Sequence, residues 1–344
     1  MQASIRRYHR QQDRVFISRL STIQEQEGNN RRAVNLHDYP KKDVIFHLTG
    51  GGFFAHTIAG DVPYLLDWSA ASNAIVICPE YALLPEHKFP VAIDEIVNVY
   101  TSLMNGETAP LLGFQTDKII VTGESTGGNL AASLCVKLCM DGLIDVEQLT
   151  IEERLCAREQ RGSDISSSSS FDQSGGSSSE DEVNDAPEKP PHLPSIRLPD
   201  ALMLSCPALN LSLELSPSRV IGGRDPVLPS SLISTISEAY IPTYLGVSKT
   251  DPIASPYFAP DEFLRLFPPT LVYAGSEDPL LDDAVHFNAR LRRLGVDSDL
   301  RAAQNMPHAY WGLGIAGFPT ARKVQRECQE WMIKQLARGR VKEK

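Results

Sequence analysis

Ser125 stands in the run Gly123-Glu124-Ser125-Thr126-Gly127, with Gly128 following. A serine hydroxyl is a weak nucleophile until a neighbouring base takes its proton, and that base needs an acid to fix its tautomer. His308, in Asn305-Met306-Pro307-His308-Ala309-Tyr310, is the candidate base, and Asp278, in Ser276-Glu277-Asp278-Pro279-Leu280, the candidate acid. Upstream, Gly50-Gly51-Gly52 precede Phe53-Phe54. Consecutive glycines let backbone N–H groups converge on one point, as stabilising a tetrahedral oxyanion requires. Nucleophile, base, acid and oxyanion donors together are the parts of an acyl-transfer site. Taken singly, each has a bland reading: a Gly-rich turn, a surface histidine, a helix-capping aspartate. The combination points to chemistry.

These groups need elements to hold them. Short apolar runs at 43–49, 74–79, 118–122, 201–206 and 270–275 are bounded by Gly, Pro or Asp, as buried parallel strands are, and 298–303 is read as a sixth strand. Helical patterns lie between them, at 91–104, 128–140, 281–294 and 320–337. This alternation predicts a mostly parallel α/β sheet flanked by helices. The serine run follows the strand at 118–122 and opens the apolar helix at 128–140. That is the strand–turn–helix setting of a nucleophile elbow, where glycines flank the serine because the turn leaves no room for side chains. Asp278 and His308 each follow a strand, so all three fall at carboxyl ends, the edge where such sheets place their sites. The acid is assigned to Asp278 because it precedes Pro279, which suits the first turn of a helix. Glu277 should leave the strand end on the other side, and Asp282 and Asp283 should face solvent or a cap.

The chain has 344 residues, 42% of them hydrophobic, enough for a large core. Its net charge of −10 argues against nucleic-acid binding. Residues 157–195, rich in Ser, Gly, Pro and acid, cannot bury enough apolar surface to fold and read as a disordered insertion. Their serines, over 166–179 and just before Glu180-Asp181-Glu182, suit an acid-directed kinase. No apolar run is long enough for a membrane span, and the polar start MQASIRRYHRQQDR lacks the core of a secretory signal. The six cysteines show no paired metal spacing, and several sit in apolar runs as buried thiols do. The expectation is a cytoplasmic protein with no metal and no cofactor.

The motifs HLTGGGFFAH, PEYALLPEHKFPVAIDE, GESTGGNLAAS, SPYFAPDEFLRLFPP, EDPLLDDAVHFNARLRRLG and NMPHAY occur in that order. Together they resemble the hormone-sensitive-lipase family of α/β-hydrolases, and its eukaryotic lipases more than its bacterial members. The resemblance runs from about Asp43 to Trp331, leaving out the Ser-rich segment. It implies an α/β-hydrolase fold with a helical cap. Residues 41–156 and 196–344 would form the catalytic domain, with cap contributions from 1–40 and 207–255. It implies a serine hydrolase for carboxylic esters, acylglycerols or other lipid esters among them, acting through an acyl-enzyme. Ser125, His308 and Asp278 would form the triad, with the N–H groups of Gly51, Gly52 and Thr126 as the oxyanion hole. Phe53, Phe54 and Tyr310 are expected to bind substrate, and lipid surfaces, including droplets, to be peripheral partners.

Thr49 stands where the family's glycine loop carries a histidine, so a softer loop is expected. Glu124 and Thr126 replace the more usual Asp and Ala. The same fold also serves non-catalytic small-ligand receptors, which lack the histidine that His308 supplies here. The same triad also serves amidases and thioesterases.

Overall fold

The computed structural model describes Ile5–Arg7, Val15–Ser18, and residues 36–144 and 196–339. The expected insertion at 157–195, with its kinase segment 166–179, lies outside these residues. The residues that flank it are joined. Ile144 and Ile196 form a parallel bridge, and the Ile196 N–H donates to the Leu143 carbonyl at 2.8 Å.

Eight described strands make one sheet: β1 (Ile5–Arg7), β2 (Val15–Ser18), β3 (Lys41–Leu48), β4 (Ile75–Pro79), β5 (Gln115–Glu124), β6 (Ala201–Ser205), β7 (Thr270–Gly275) and β8 (Ser298–Ala303). Their order is β1-β2-β4-β3-β5-β6-β7-β8, parallel throughout except for β1 against β2. The six runs anticipated from sequence are β3 to β8. The two N-terminal strands were not anticipated. They place the described part of 1–40 on the sheet's edge, where a cap contribution was expected.

Alternation along the strands feeds two cores, because successive side chains point to opposite faces. Val44, Phe46 and Leu48 of β3, Ile119 and Val121 of β5, and Leu202 and Leu204 of β6 face one core. Ile45, Ile120, Ala201 and Met203 face the other. The first core is closed by α2 (Val91–Met104), α3 (Thr126–Met140) and α5 (Leu281–Arg293), with α4 (Ser230–Tyr240) from the expected cap segment also packed there. The second is closed by α1 (Ile58–Ser72) and α6 (Pro319–Ala337). Helix α3 begins two residues earlier than its apolar pattern, directly at the serine turn. Helix α1 was missed for a physical reason. Its buried stripe, Asp61, Tyr64, Leu65, Trp68 and Ser69, has helical spacing but includes polar residues, and Pro63 lies inside it.

Candidate functional site

The central strand β5 ends at Glu124, and Ser125 turns the chain into α3 with φ 55° and ψ −119°. The turn is tight because the elbow presses on its neighbours. A Cβ on Gly123 would collide with the Gly127 carbonyl, and one on Gly127 with the carbonyl of Leu48 at the end of β3. Glycine is thus required at both flanks by close approach. The Ser125 N–H donates to the Ser205 carbonyl at 2.9 Å, pinning the elbow to β6.

Asp278 and His308 follow β7 and β8, the strands beyond β6. The three side chains meet in line. His308 Nε2 lies 2.8 Å from Ser125 Oγ, and Nδ1 lies 3.0 and 3.1 Å from the two oxygens of Asp278. Asp278 and His308 are buried, and Ser125 is partly exposed. A carboxylate only accepts, so the Nδ1 proton belongs to the bond with Asp278 and Nε2 is left to accept from the serine hydroxyl. Asp278 Oδ1 also accepts the Leu280 N–H at 2.8 Å, which fixes the carboxylate at the start of α5. Glu277, one residue earlier, is exposed where Asp278 is buried. Asp282 and Asp283 do reach the 207–255 segment. Asp282 accepts the Ser218 N–H at 2.8 Å, and Asp283 is buried against Arg219 at 2.7 Å. Of the two solvent-or-cap alternatives, Asp283 takes the cap side, and as an ion pair.

The glycine loop after β3 has φ 122° at Gly51 and 66° at Gly52, and no described hydrogen bond uses the N–H of Gly51, Gly52 or Thr126. The expectation of a soft loop at Thr49 meets a closed ring of bonds. Tyr81 Oη donates to the Thr49 carbonyl at 2.7 Å, and the Thr49 hydroxyl lies 3.1 Å from His56 Nδ1. His56 Nε2 lies 3.1 Å from the Tyr81 carbonyl. Burial pushes the pKa of His56 down, so its ring is neutral near pH 7. One nitrogen then donates to the Tyr81 carbonyl and the other accepts from Thr49. An imidazole thus braces the loop from seven residues further along the chain. Thr49→His is accordingly expected to leave the turnover number within about twofold or to lower it, because the new ring would displace a support already in place. Steady-state kinetics of that variant check this, and a clear rise in turnover would show the loop to be soft after all.

Two of the three aromatic residues assigned to substrate lie elsewhere. Phe53 is buried, its ring stacked on Tyr240 of α4 at 3.6 Å between centroids. Tyr310 is fully buried in the core on the α1–α6 side of the sheet, beside Trp311. Both side chains are committed to packing partners and leave no exposed face for a ligand. Phe54, 39% exposed, retains a free face.

Beneath the elbow, Glu124 is buried. Desolvation first, and the charge of Asp61 second, hold its carboxyl well above the usual carboxylate range. His47 links this layer, with Nδ1 2.7 Å from Thr122 Oγ1 and Nε2 3.3 Å from Asp61 Oδ2. Cys206, Asp278 and His308 bring ligand-type atoms within 4.8 Å of one another. Burial pushes the Cys206 thiol up and Asp278 is already committed to His308, so the cluster has the chemistry of a neutral thiol behind the acid. Sequence reasoning missed Asp225, whose carboxylate accepts the His308 N–H at 2.8 Å. Only the turn-like Arg224-Asp225-Pro226 marks it, with nothing to indicate its distant partner.

A family profile described as "alpha/beta hydrolase fold" matches residues 44–166 and 178–312. Human hormone-sensitive lipase is 26% identical over 219 residues, covering 62% of this chain and 15% of that protein. An esterase of Acinetobacter venetianus is 25% identical over 288 residues, covering 84% and 74%. The chain therefore spans a small part of the human relative and most of the bacterial one. Among solved structures, carboxyl esterase 2 from the mycorrhizal fungus Tuber melanosporum aligns with TM-score 0.64 at 20% identity, covering 86% of this chain and 79% of that one. A hormone-sensitive lipase from a metagenome library aligns with TM-score 0.62 at 22% identity, covering 85% and 78%. At these identities the structural likeness speaks for the fold.

Proposed function

Since the chain belongs to the alpha/beta hydrolase fold family, we propose that it is a serine hydrolase that cleaves carboxylic esters through an acyl-enzyme on Ser125. One observation carries this reading: the Ser125–His308–Asp278 relay, with contacts of 2.8 and 3.0 Å at the carboxyl ends of three parallel strands. As Ser125 Oγ attacks the carbonyl carbon, its proton passes to His308 Nε2. Asp278 remains ionised and stabilises the imidazolium. The tetrahedral oxyanion is received by the N–H groups of Gly51, Gly52 and Thr126, the last at the N-terminus of α3. Collapse breaks the C–O bond, and His308 returns the proton to the leaving alkoxide. Water, deprotonated by His308, then attacks the acyl carbon. The acid departs and Ser125 regains its hydrogen.

Lipid esters, acylglycerols among them, are the substrate class within this proposal. The cap segment supports it with exposed apolar side chains, Leu215, Val220, Ile221 and Val227, and Phe54 adds another from the glycine loop. The relatives named hormone-sensitive lipase point the same way. Peripheral contact with lipid surfaces, cytoplasmic residence and a place at the droplet surface belong to the same proposal. No described helix is long and apolar enough to cross a membrane. The test is an ester panel from acetate to oleate, with diacylglycerol and cholesteryl ester. Hydrolysis concentrated on the longer acyl chains supports the lipid class. Activity confined to acetate would replace it by a short-chain esterase, and turnover of amides or thioesters in preference to esters would overturn the ester reading.

A further inference from the structure

We propose that Asp225 is a positioning residue that fixes the backbone of His308, so that the seating of the cap segment and the placement of the base are one event. The inference rests on the ester-hydrolase reading above. Asp225 lies in the segment 207–255 and is 6% exposed. Its described partners are three backbone N–H groups and no cation. Oδ1 accepts from Val227 at 2.8 Å and from Leu228 at 2.7 Å, closing a turn in the cap segment. Oδ2 accepts from His308 at 2.8 Å, across 83 residues of chain. Both oxygens are therefore acceptors, one for the cap and one for the loop that carries the base.

The same stretch of chain reaches the other half of the site. Leu228, buried in the core, leads into α4. Ile236 of α4 lies against Gly52, where an added Cβ would come within 3.0 Å of its side chain. Tyr240, at the end of α4, stacks on Phe53. Residues 225–240 thus hold the base at one end and the glycine loop at the other. This segment therefore contacts both the proton acceptor and the oxyanion loop, while Asp278 holds the ring of His308.

The chemistry of the acceptor gives a discriminating variant. Asp225→Asn keeps one carbonyl oxygen, and its amide NH2 then faces an N–H donor. It must give up either the turn or His308. Asp225→Asn is expected to lower the turnover number by about 10²-fold, the scale of a 1 Å misplacement, with the Michaelis constant within about threefold. The labelling rate of Ser125 by a fluorophosphonate should fall in parallel. The decisive comparison is a double-mutant cycle: with His308→Ala already present, adding Asp225→Asn should change the residual labelling rate less than about twofold, because a residue that acts through His308 has nothing left to position. Asp225→Ser, which retains a turn-forming acceptor and lacks the second oxygen, serves in its place if the Asn variant fails to fold. Unchanged turnover, or an equal loss in the His308→Ala background, overturns the proposal. A wild-type protein that neither hydrolyses esters nor takes the label would instead overturn the ester-hydrolase reading, leaving the contact itself intact.

Discussion

Ser125→Ala is expected to lower ester hydrolysis by about 10⁴-fold or more, the scale of nucleophile deletions in serine hydrolases. The fold should survive. The Ser125 hydroxyl is partly exposed and its described bond goes to His308 alone, so removing it leaves one imidazole nitrogen facing the solvent side of the site. The elbow is held by backbone contacts, the Ser125 N–H to Ser205 and the Ala208 N–H to the Ser125 carbonyl, and both persist in alanine. Fluorophosphonate labelling should vanish while circular dichroism and melting temperature stay close to wild type. A variant that keeps a tenth of the wild-type rate would mean another group is the nucleophile.

Asp278→Asn should be nearly as severe, for a different reason. In the native site the carboxylate accepts from His308 Nδ1 with both oxygens at 3.0 and 3.1 Å. An amide in that place offers an N–H donor, which favours the tautomer with the proton on Nε2. That tautomer cannot accept the serine proton, and the loss approaches about 10⁴-fold in turnover at neutral pH, with at least about 10² expected here. Glu277→Gln, one residue earlier and exposed, should stay within about tenfold, a span of roughly 1.4 kcal/mol that solvent screening of a surface charge accommodates. Asp283→Asn separates chemistry from scaffold. It removes the charge opposite the buried Arg219, so its cost should appear as lost stability, about 3–5 kcal/mol if the pair is broken, with turnover per folded molecule little changed. Kinetics of the three variants beside their melting curves make the assignment. A crippled Glu277→Gln would move the acid by one position.

The parts of this site carried by local chain chemistry were legible in the sequence. Strands β3 to β7 announce themselves because parallel strands buried on both faces are apolar, whereas β8, half-exposed at the sheet edge with Asp299 and Arg301, gives a weaker signal. The glycines around Ser125 announce the elbow because nothing larger fits. What escaped depends on contacts between distant segments. Helix α1 hides behind Asp61 and Ser69, which sit on its buried face because His47 and the Ala74 carbonyl give them partners. Thr49 in place of the family histidine suggests an unbraced loop, yet His56 and Tyr81, further along the chain, complete the brace. Phe53 and Tyr310 neighbour site residues in sequence, yet adjacency does not say toward which layer a side chain points. Asp225 carries no local pattern for its bond to His308.

The conformation of Ser125 has a consequence for heat resistance. At φ 55° and ψ −119° a residue with a side chain is strained by about 1–3 kcal/mol, whereas glycine rests there comfortably. A domain of ordinary stability has only about 5–15 kcal/mol in all. Ser125→Gly should therefore melt above Ser125→Ala, which keeps the strain, even after glycine's looser unfolded chain takes back about 0.5–1 kcal/mol. Equal melting points for the two variants would mean that the elbow carries no such tension. If the difference is seen, the hardiest version of this chain is an inert one, and any search for durability blind to turnover would drift toward it.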